Sequence, residues 1–164
     1  MLFSEIDYNF MLAALTEAEK ALAEDEVPIG AVIVYKNKII GKGFNQVEML
    51  KDATAHAEML AITAAANYLQ SWHLDGCSLY VTAEPCIMCT GAAIMARINT
   101  IYFSVFEPKF GACGSLYNLA EEGKTNHKIK IISGLLAEES NKLMTGFFEK
   151  KRKGKNSHPG NAIF

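Results

Sequence analysis

Apolar positions along the chain follow two alternating rhythms. Ile6, Phe10, Ala14, Ala18 and Ala21-Leu22 recur at helical spacing, with Glu17, Glu19 and Lys20 between them, which predicts an amphipathic helix over residues 7–24. Asp25-Glu26-Val27-Pro28 stops it. Two β-branched runs follow, Gly30–Tyr35 and Lys38–Phe44, joined by Lys36-Asn37, a two-residue hairpin turn in which Asn tolerates positive φ. An alanine-rich stretch over 58–69 predicts a second helix, and 78–82 a third strand. Residues 87–96 predict a third helix opened by Pro85, and Thr100–Val105 a fourth strand. A fifth short strand at 129–133 and a final helix at 135–153 complete the series. The stretch 107–118, punctuated by Pro108, Gly111 and Gly114, reads as a loop of functional length. Strands alternating with helices imply an α/β layer structure, with a hairpin first and parallel crossovers afterwards. Residues 1–153 are expected to form one domain, and 154–164 a poorly ordered tail.

Composition bounds this picture. A chain of 164 residues, 50% hydrophobic and 21% charged, is too apolar to be disordered and long enough for one core without disulfides. Its formal net charge of −2 argues, on its face, against a nucleic-acid partner. The distribution says otherwise. Residues 1–96 carry 12 acids against 5 bases, and residues 97–164 carry 6 against 11. The first ten residues, MLFSEIDYNF, lack the basic and apolar regions of a signal peptide. The most apolar stretch, 83–96, is interrupted by Glu84, Pro85 and Thr90 and is too short for a bilayer. A cytoplasmic protein with no membrane partner is expected. Close spacing of Cys86 and Cys89, beside Cys77 and Cys113, then points to a metal or redox role rather than to disulfides.

Two segments carry candidate chemistry: Thr54-Ala55-His56-Ala57-Glu58 and Glu84-Pro85-Cys86-Ile87-Met88-Cys89. A lone His is more often an ordinary helix-end residue, and free Cys is often a small buried hydrophobe. A thioredoxin-like pair would follow the first strand, whereas this one follows the third. A structural zinc site would want a fourth Cys or His. A catalytic zinc fits better. Cys86 and Cys89 share one face at the first turn of a helix, whose N-terminus favours the thiolate form. His56 supplies a third ligand, and three protein ligands leave one tetrahedral position for a water of lowered pKa. Glu58 is the proton carrier beside it. In a regular helix His56 and Glu58 would point about 200° apart, so the helix is expected to start at residue 56–57, with His56 before regular geometry begins.

The ordered set HxE…PCxxC is the signature of zinc-dependent nucleobase deaminases. To about Lys153 the chain resembles the bacterial tRNA-specific adenosine deaminases, within the cytidine/deoxycytidylate deaminase superfamily. The matching segments include Val27-Pro28-Ile29-Gly30-Ala31, Gly43-Phe44-Asn45, both zinc segments, Lys109-Phe110-Gly111-Ala112-Cys113-Gly114-Ser115, Asn126-His127 and Phe147-Phe148. The resemblance implies a three-layer α/β/α cytidine-deaminase-like fold, with a five-stranded mixed sheet and helices on both faces. It implies hydrolytic deamination of the wobble adenosine of tRNA, chiefly an arginine tRNA, to inosine by zinc-activated water. It also implies one Zn²⁺ per subunit on His56, Cys86 and Cys89, Glu58 as the catalytic acid/base, and a homodimer. Asn45, with Ile29 and the backbone near Ala57, would line the base pocket, and His127 would lie on the RNA side. Glu107 stands where the family usually has Asp, in Glu107-Pro108-Lys109, and both Glu107 and Lys109 are candidate substrate contacts.

The stretch 149–155 holds five basic residues and one acid. Complementing a helix C-terminus explains one or two of them. Arg152 and its neighbours are therefore candidate phosphate contacts for the anticodon arm, positioning it without reading sequence. Of the adjacent Phe147 and Phe148, one is expected in the core and one near the substrate groove. The alternative is a zinc deaminase of a free nucleobase, nucleoside or nucleotide, of cytosine or guanine type. Such an enzyme has no use for a basic terminal helix.

Overall fold

The computed structural model of the chain describes residues 2–155. Its elements are α1 (Glu5–Ala23), β1 (Gly30–Tyr35), β2 (Lys38–Phe44), α2 (Val47–Leu50), α3 (Ala57–Leu69), β3 (Cys77–Ala83), α4 (Ile87–Met95), β4 (Thr100–Val105), β5 (Lys130–Ser133) and α5 (Ala137–Lys155). The short α2 is absent from the sequence pattern, which offers only four residues there. Helix α1 starts at Glu5 rather than residue 7 because Ser4 and Asp7 form a reciprocal capping box. Its buried stripe is Phe10, Met11, Ala14, Leu15, Ala18 and Ala21, while Ile6 and Leu22 stay exposed. Helix α5 reaches Lys155, past the expected domain end, and the rest of the expected tail lies outside the described residues.

The strands form one mixed sheet in the order β2-β1-β3-β4-β5. Lys36 and Asn37 both take positive φ, 48° and 59°, giving the tight turn of the β1–β2 hairpin. The crossover through α3 returns β3 beside β1, antiparallel to it, rather than beside β2. The parallel pairs expected after the hairpin are β3 with β4 and β4 with β5. Alternation along the central strands divides the core in two. Ala31, Ile33, Leu79, Val81, Ile101 and Phe103 face α3 and α4, whereas Val32, Val34 and Tyr80 face α1. Helices thus cover both faces in three layers.

Two glycines decide how closely α3 sits on the sheet. A Cβ on Gly43 would collide with the carbonyl of Ala57 and come within 2.8 Å of the Ala61 amide nitrogen. One on Gly41 would strike the Ala61 carbonyl and lie 2.8 Å from the Ala65 nitrogen. Two bare positions on one face of β2 therefore let the α3 backbone rest directly on the strand. Opposite them α3 presents Ala57, Ala61 and Ala65, all fully buried. The first turn of α3 is fixed by this contact.

Candidate metal centre and active site

His56 is the N-cap of α3, with extended backbone (φ −73°, ψ 151°), and regular helix begins at Ala57. This is the geometry required for His56 and Glu58 to serve one centre. Cys86 is likewise the N-cap of α4 (φ −74°, ψ 177°), and Cys89 lies in its first turn. Strand β3 ends at Ala83 and delivers Glu84, Pro85 and Cys86 at its carboxyl end, where open α/β sheets place their ligands.

The three side chains converge. His56 Nδ1 lies 3.6 Å from Cys86 Sγ and 3.5 Å from Cys89 Sγ, and the three donor atoms all fall within 4.8 Å of one another. Zn–S bonds of 2.3 Å and Zn–N bonds of 2.0–2.1 Å at a tetrahedral angle require N···S edges of about 3.6 Å. The triangle is thus one face of a zinc tetrahedron, and its borderline-soft S₂N donor set suits that ion. Among protein groups alone, the Cys86 thiol is pulled down to about 4 by a hydrogen bond from Cys89 and, against burial, by His56. Cys89 is pushed up by donating that bond and by its burial. His56 is raised, first by its contact with Cys86.

Glu58 is 4% exposed, and burial pushes its carboxyl up to about 7, opposed by its own backbone amide and by His56. A carboxyl buried beside a three-donor triangle is placed to pass a proton in either direction.

Beside this centre, the segment of Asn45 is tied to the one before His56, Gln46 N donating to Ala55 O at 3.0 Å. Asn45 is 8% exposed; its amide donates to the Ile29 carbonyl at 3.0 Å, its Nδ2 to Val27 O at 3.3 Å, and its Oδ1 accepts from Val47 N at 3.3 Å. A carboxamide has two donors and two acceptor positions, so one of each remains for a base. Ile29 lies beside it, and Ala57, the first residue of α3, is fully buried. Buried Glu26, which the sequence pattern does not single out, accepts from Glu48 N at 3.1 Å and Met49 N at 2.6 Å and pins α2 against the segment before β1.

Beyond the zinc ligands, the loop 107–115 carries half-buried Glu107 and exposed Lys109; the Glu107 carboxylate accepts from the Lys109 amide at 3.0 Å. The root of this loop is Glu84, which the sequence places in the candidate segment before Pro85-Cys86 without giving it a role. Phe147 is buried and Phe148 is 42% exposed, the division expected of adjacent phenylalanines. Arg152 is exposed near the end of α5, whose neighbour Lys151 pairs with Asp25 at 2.7 Å, next to the segment that Asn45 holds. His127 spends Nε2 on the Ile98 carbonyl at 2.7 Å, which gives it an anchoring role in its own loop. Cys77 is fully buried core, and Cys113 is buried against Thr90 at 3.3 Å. Among the described residues no helix is long and apolar enough to cross a membrane.

Residues 4–105 match the sequence model of the cytidine and deoxycytidylate deaminase zinc-binding region. The chain is 44% identical over 149 residues to a tRNA-specific adenosine deaminase of Bacillus subtilis (strain 168), covering 91% of this chain and 92% of that one. It is 47% identical over 143 residues to one from Aquifex aeolicus (strain VF5), covering 87% and 94%. A structure solved in a study of A-to-I editing by tRNA:A34 deaminases at the wobble position superposes with a TM-score of 0.79 at 41% identity, covering 82% of this chain and 98% of that one.

Proposed function

The chain belongs to the cytidine and deoxycytidylate deaminase zinc-binding family, among the tRNA-specific adenosine deaminases, and from that premise we propose that it hydrolyses the wobble adenosine of a tRNA to inosine. The observation that carries this reading is the buried Glu58 beside the triangle of His56, Cys86 and Cys89. Those three residues would hold zinc, which when bound supplies a Lewis acid that activates water at neutral pH. Glu58 takes one proton from the attacking water and delivers it to N1 of the purine as C6 becomes tetrahedral. It then takes the second proton, from the new C6 hydroxyl, and delivers it to the exocyclic nitrogen, so that the C6–N bond breaks as the carbonyl forms. Adenosine and water give inosine and ammonia. The Asn45 carboxamide holds the flipped base through its remaining donor and acceptor, with Ile29 packed beside it and Ala57 at the back of the pocket.

Several features support RNA rather than a free base. The stretch 149–155 concentrates positive charge on a helix end tied by Lys151 to Asp25, near the Asn45 rim. Lys150, Arg152 and Lys153 contact anticodon-arm phosphates, Phe148 offers a stacking face, and Glu107 and Lys109 meet the nucleotides flanking the base. Extrusion of the base costs least in a single-stranded loop. The protein works in the cytoplasm as a homodimer; the exposed apolar Met95 on α4, which lines one hollow with Trp72, and exposed Ile87 at the start of that helix support a second copy of the chain as their cover.

A panel of an arginine tRNA with a wobble adenosine, free adenosine, cytosine and guanine, assayed for ammonia release, tests the substrate class. Release from the tRNA alone is expected. Turnover confined to free bases or nucleosides overturns the reading.

A further inference from the structure

We propose that Glu84 is the positioning residue of the substrate loop, one carboxylate that gathers both ends of 107–115 and sets where Glu107 and Lys109 stand relative to the zinc ligands. This rests on the reading of that loop as an RNA contact. Glu84 is 3% exposed. Its Oε1 accepts from the Glu107 amide at 3.2 Å and from the Ser115 hydroxyl. Its Oε2 accepts from the amides of Cys113 and Ser115, both at 3.1 Å. Four donors from the beginning and the end of one loop therefore converge on a single side chain. Buried carboxylates satisfied in this way are rigid, because each bond lost leaves a buried group unpaired.

The chain around Glu84 extends the connection to the metal centre. Its amide donates to Val105 O at 2.8 Å, Pro85 O accepts from Ala112 N at 2.9 Å, and Cys86 forms an isolated β-bridge with Gly111. Gly111 is bare because a Cβ there would run into the Glu84 carboxylate. Cys86 lies two residues beyond Glu84, so the loop and a metal ligand share one short, fixed piece of backbone. A shift of the clamp displaces the loop contacts while Cys86 stays on α4, so the loss falls on substrate binding rather than on the chemical step.

Steady-state kinetics on an anticodon stem-loop test this, with zinc content measured on every variant. Glu84→Gln removes one acceptor and the charge; it is expected to keep its zinc and to raise KM about tenfold, with kcat changed less than about threefold. Its effect should be sub-multiplicative with Lys109→Ala, which acts through the same loop, and multiplicative with Arg152→Ala on the far rim. Ser115→Ala withdraws one of the four donors and leaves the carboxylate. It should raise KM about two- to threefold, also coupled to Lys109→Ala, and it serves if Glu84→Gln does not fold. An unchanged KM with the loss wholly in kcat, a loss of zinc, or full multiplicativity with Lys109→Ala overturns the proposal. A wild-type protein inactive on the stem-loop and on tRNA overturns the underlying reading instead.

Discussion

His56 Nδ1 stands 3.5 Å from Cys89 Sγ across 33 residues of sequence. The approach depends on α3 resting on β2 at Gly41 and Gly43, since the first turn of α3 carries the imidazole. Gly43→Ala should therefore act on the centre as well as on the fold. It is expected to destabilise by about 1–3 kcal/mol, the range for overpacking a close contact, and to lower zinc affinity. Urea unfolding and zinc titration check this; a variant of wild-type stability and affinity would contradict the account of the two glycines.

Glu58 is assigned to proton transfer and not to metal binding. Glu58→Gln should retain one zinc per chain and bind tRNA normally, while kcat falls about 10²- to 10⁴-fold, as for loss of a general acid/base. Loss of zinc in this variant would make Glu58 a ligand. Retained activity would leave the proton carrier unidentified.

Away from the site, Asp7 gives a pH-dependent contribution. It accepts the Tyr80 hydroxyl at 2.7 Å and closes the cap of α1 with Ser4. Burial raises its pKa, but the Ser4 hydroxyl and amide and the Tyr80 hydroxyl outweigh this and hold it below 3.8. A lowered native pKa stabilises above the unfolded value and is lost as pH falls through the native one. Asp7→Asn should thus cost about 1 kcal/mol at pH 7, and the gap from wild type should narrow below pH 4. Denaturant melts at both pH values measure it. A gap that widens in acid would contradict the sign.

Most of the site was legible because its chemistry is local in sequence. HxE and PCxxC each occupy one helix start, and the geometric conflict between His56 and Glu58 itself required α3 to begin where it does. Hidden features were those made by contacts distant along the chain. The insertion of β1 between β2 and β3 depends on how the sheet assembles, which periodicity does not encode. Glu84 and Glu26 gain their roles only when the amides of remote loops are brought to them. Helix α1 starts at Glu5 rather than at residue 7 because its first turn is set by the Ser4–Asp7 cap, which apolar spacing does not register.

The basic end of α5 should carry much of the salt dependence of tRNA binding. Replacing Lys150, Arg152 and Lys153 together by alanine removes three phosphate partners and should flatten the log K against log[salt] slope by about 2. Lys151 is left in place because it pairs with Asp25. An unchanged slope would reduce this segment to a solvated helix end.

The most direct measurement is a site-resolved read of one arginine tRNA after incubation with the zinc-loaded protein. Inosine pairs as guanosine, so reverse transcription should report the first anticodon position converted from A to G, with every other adenosine unchanged. The Glu58→Gln protein should leave that position as A. A first anticodon position that still reads A, while the same preparation releases ammonia from guanine or cytosine, would contradict the account.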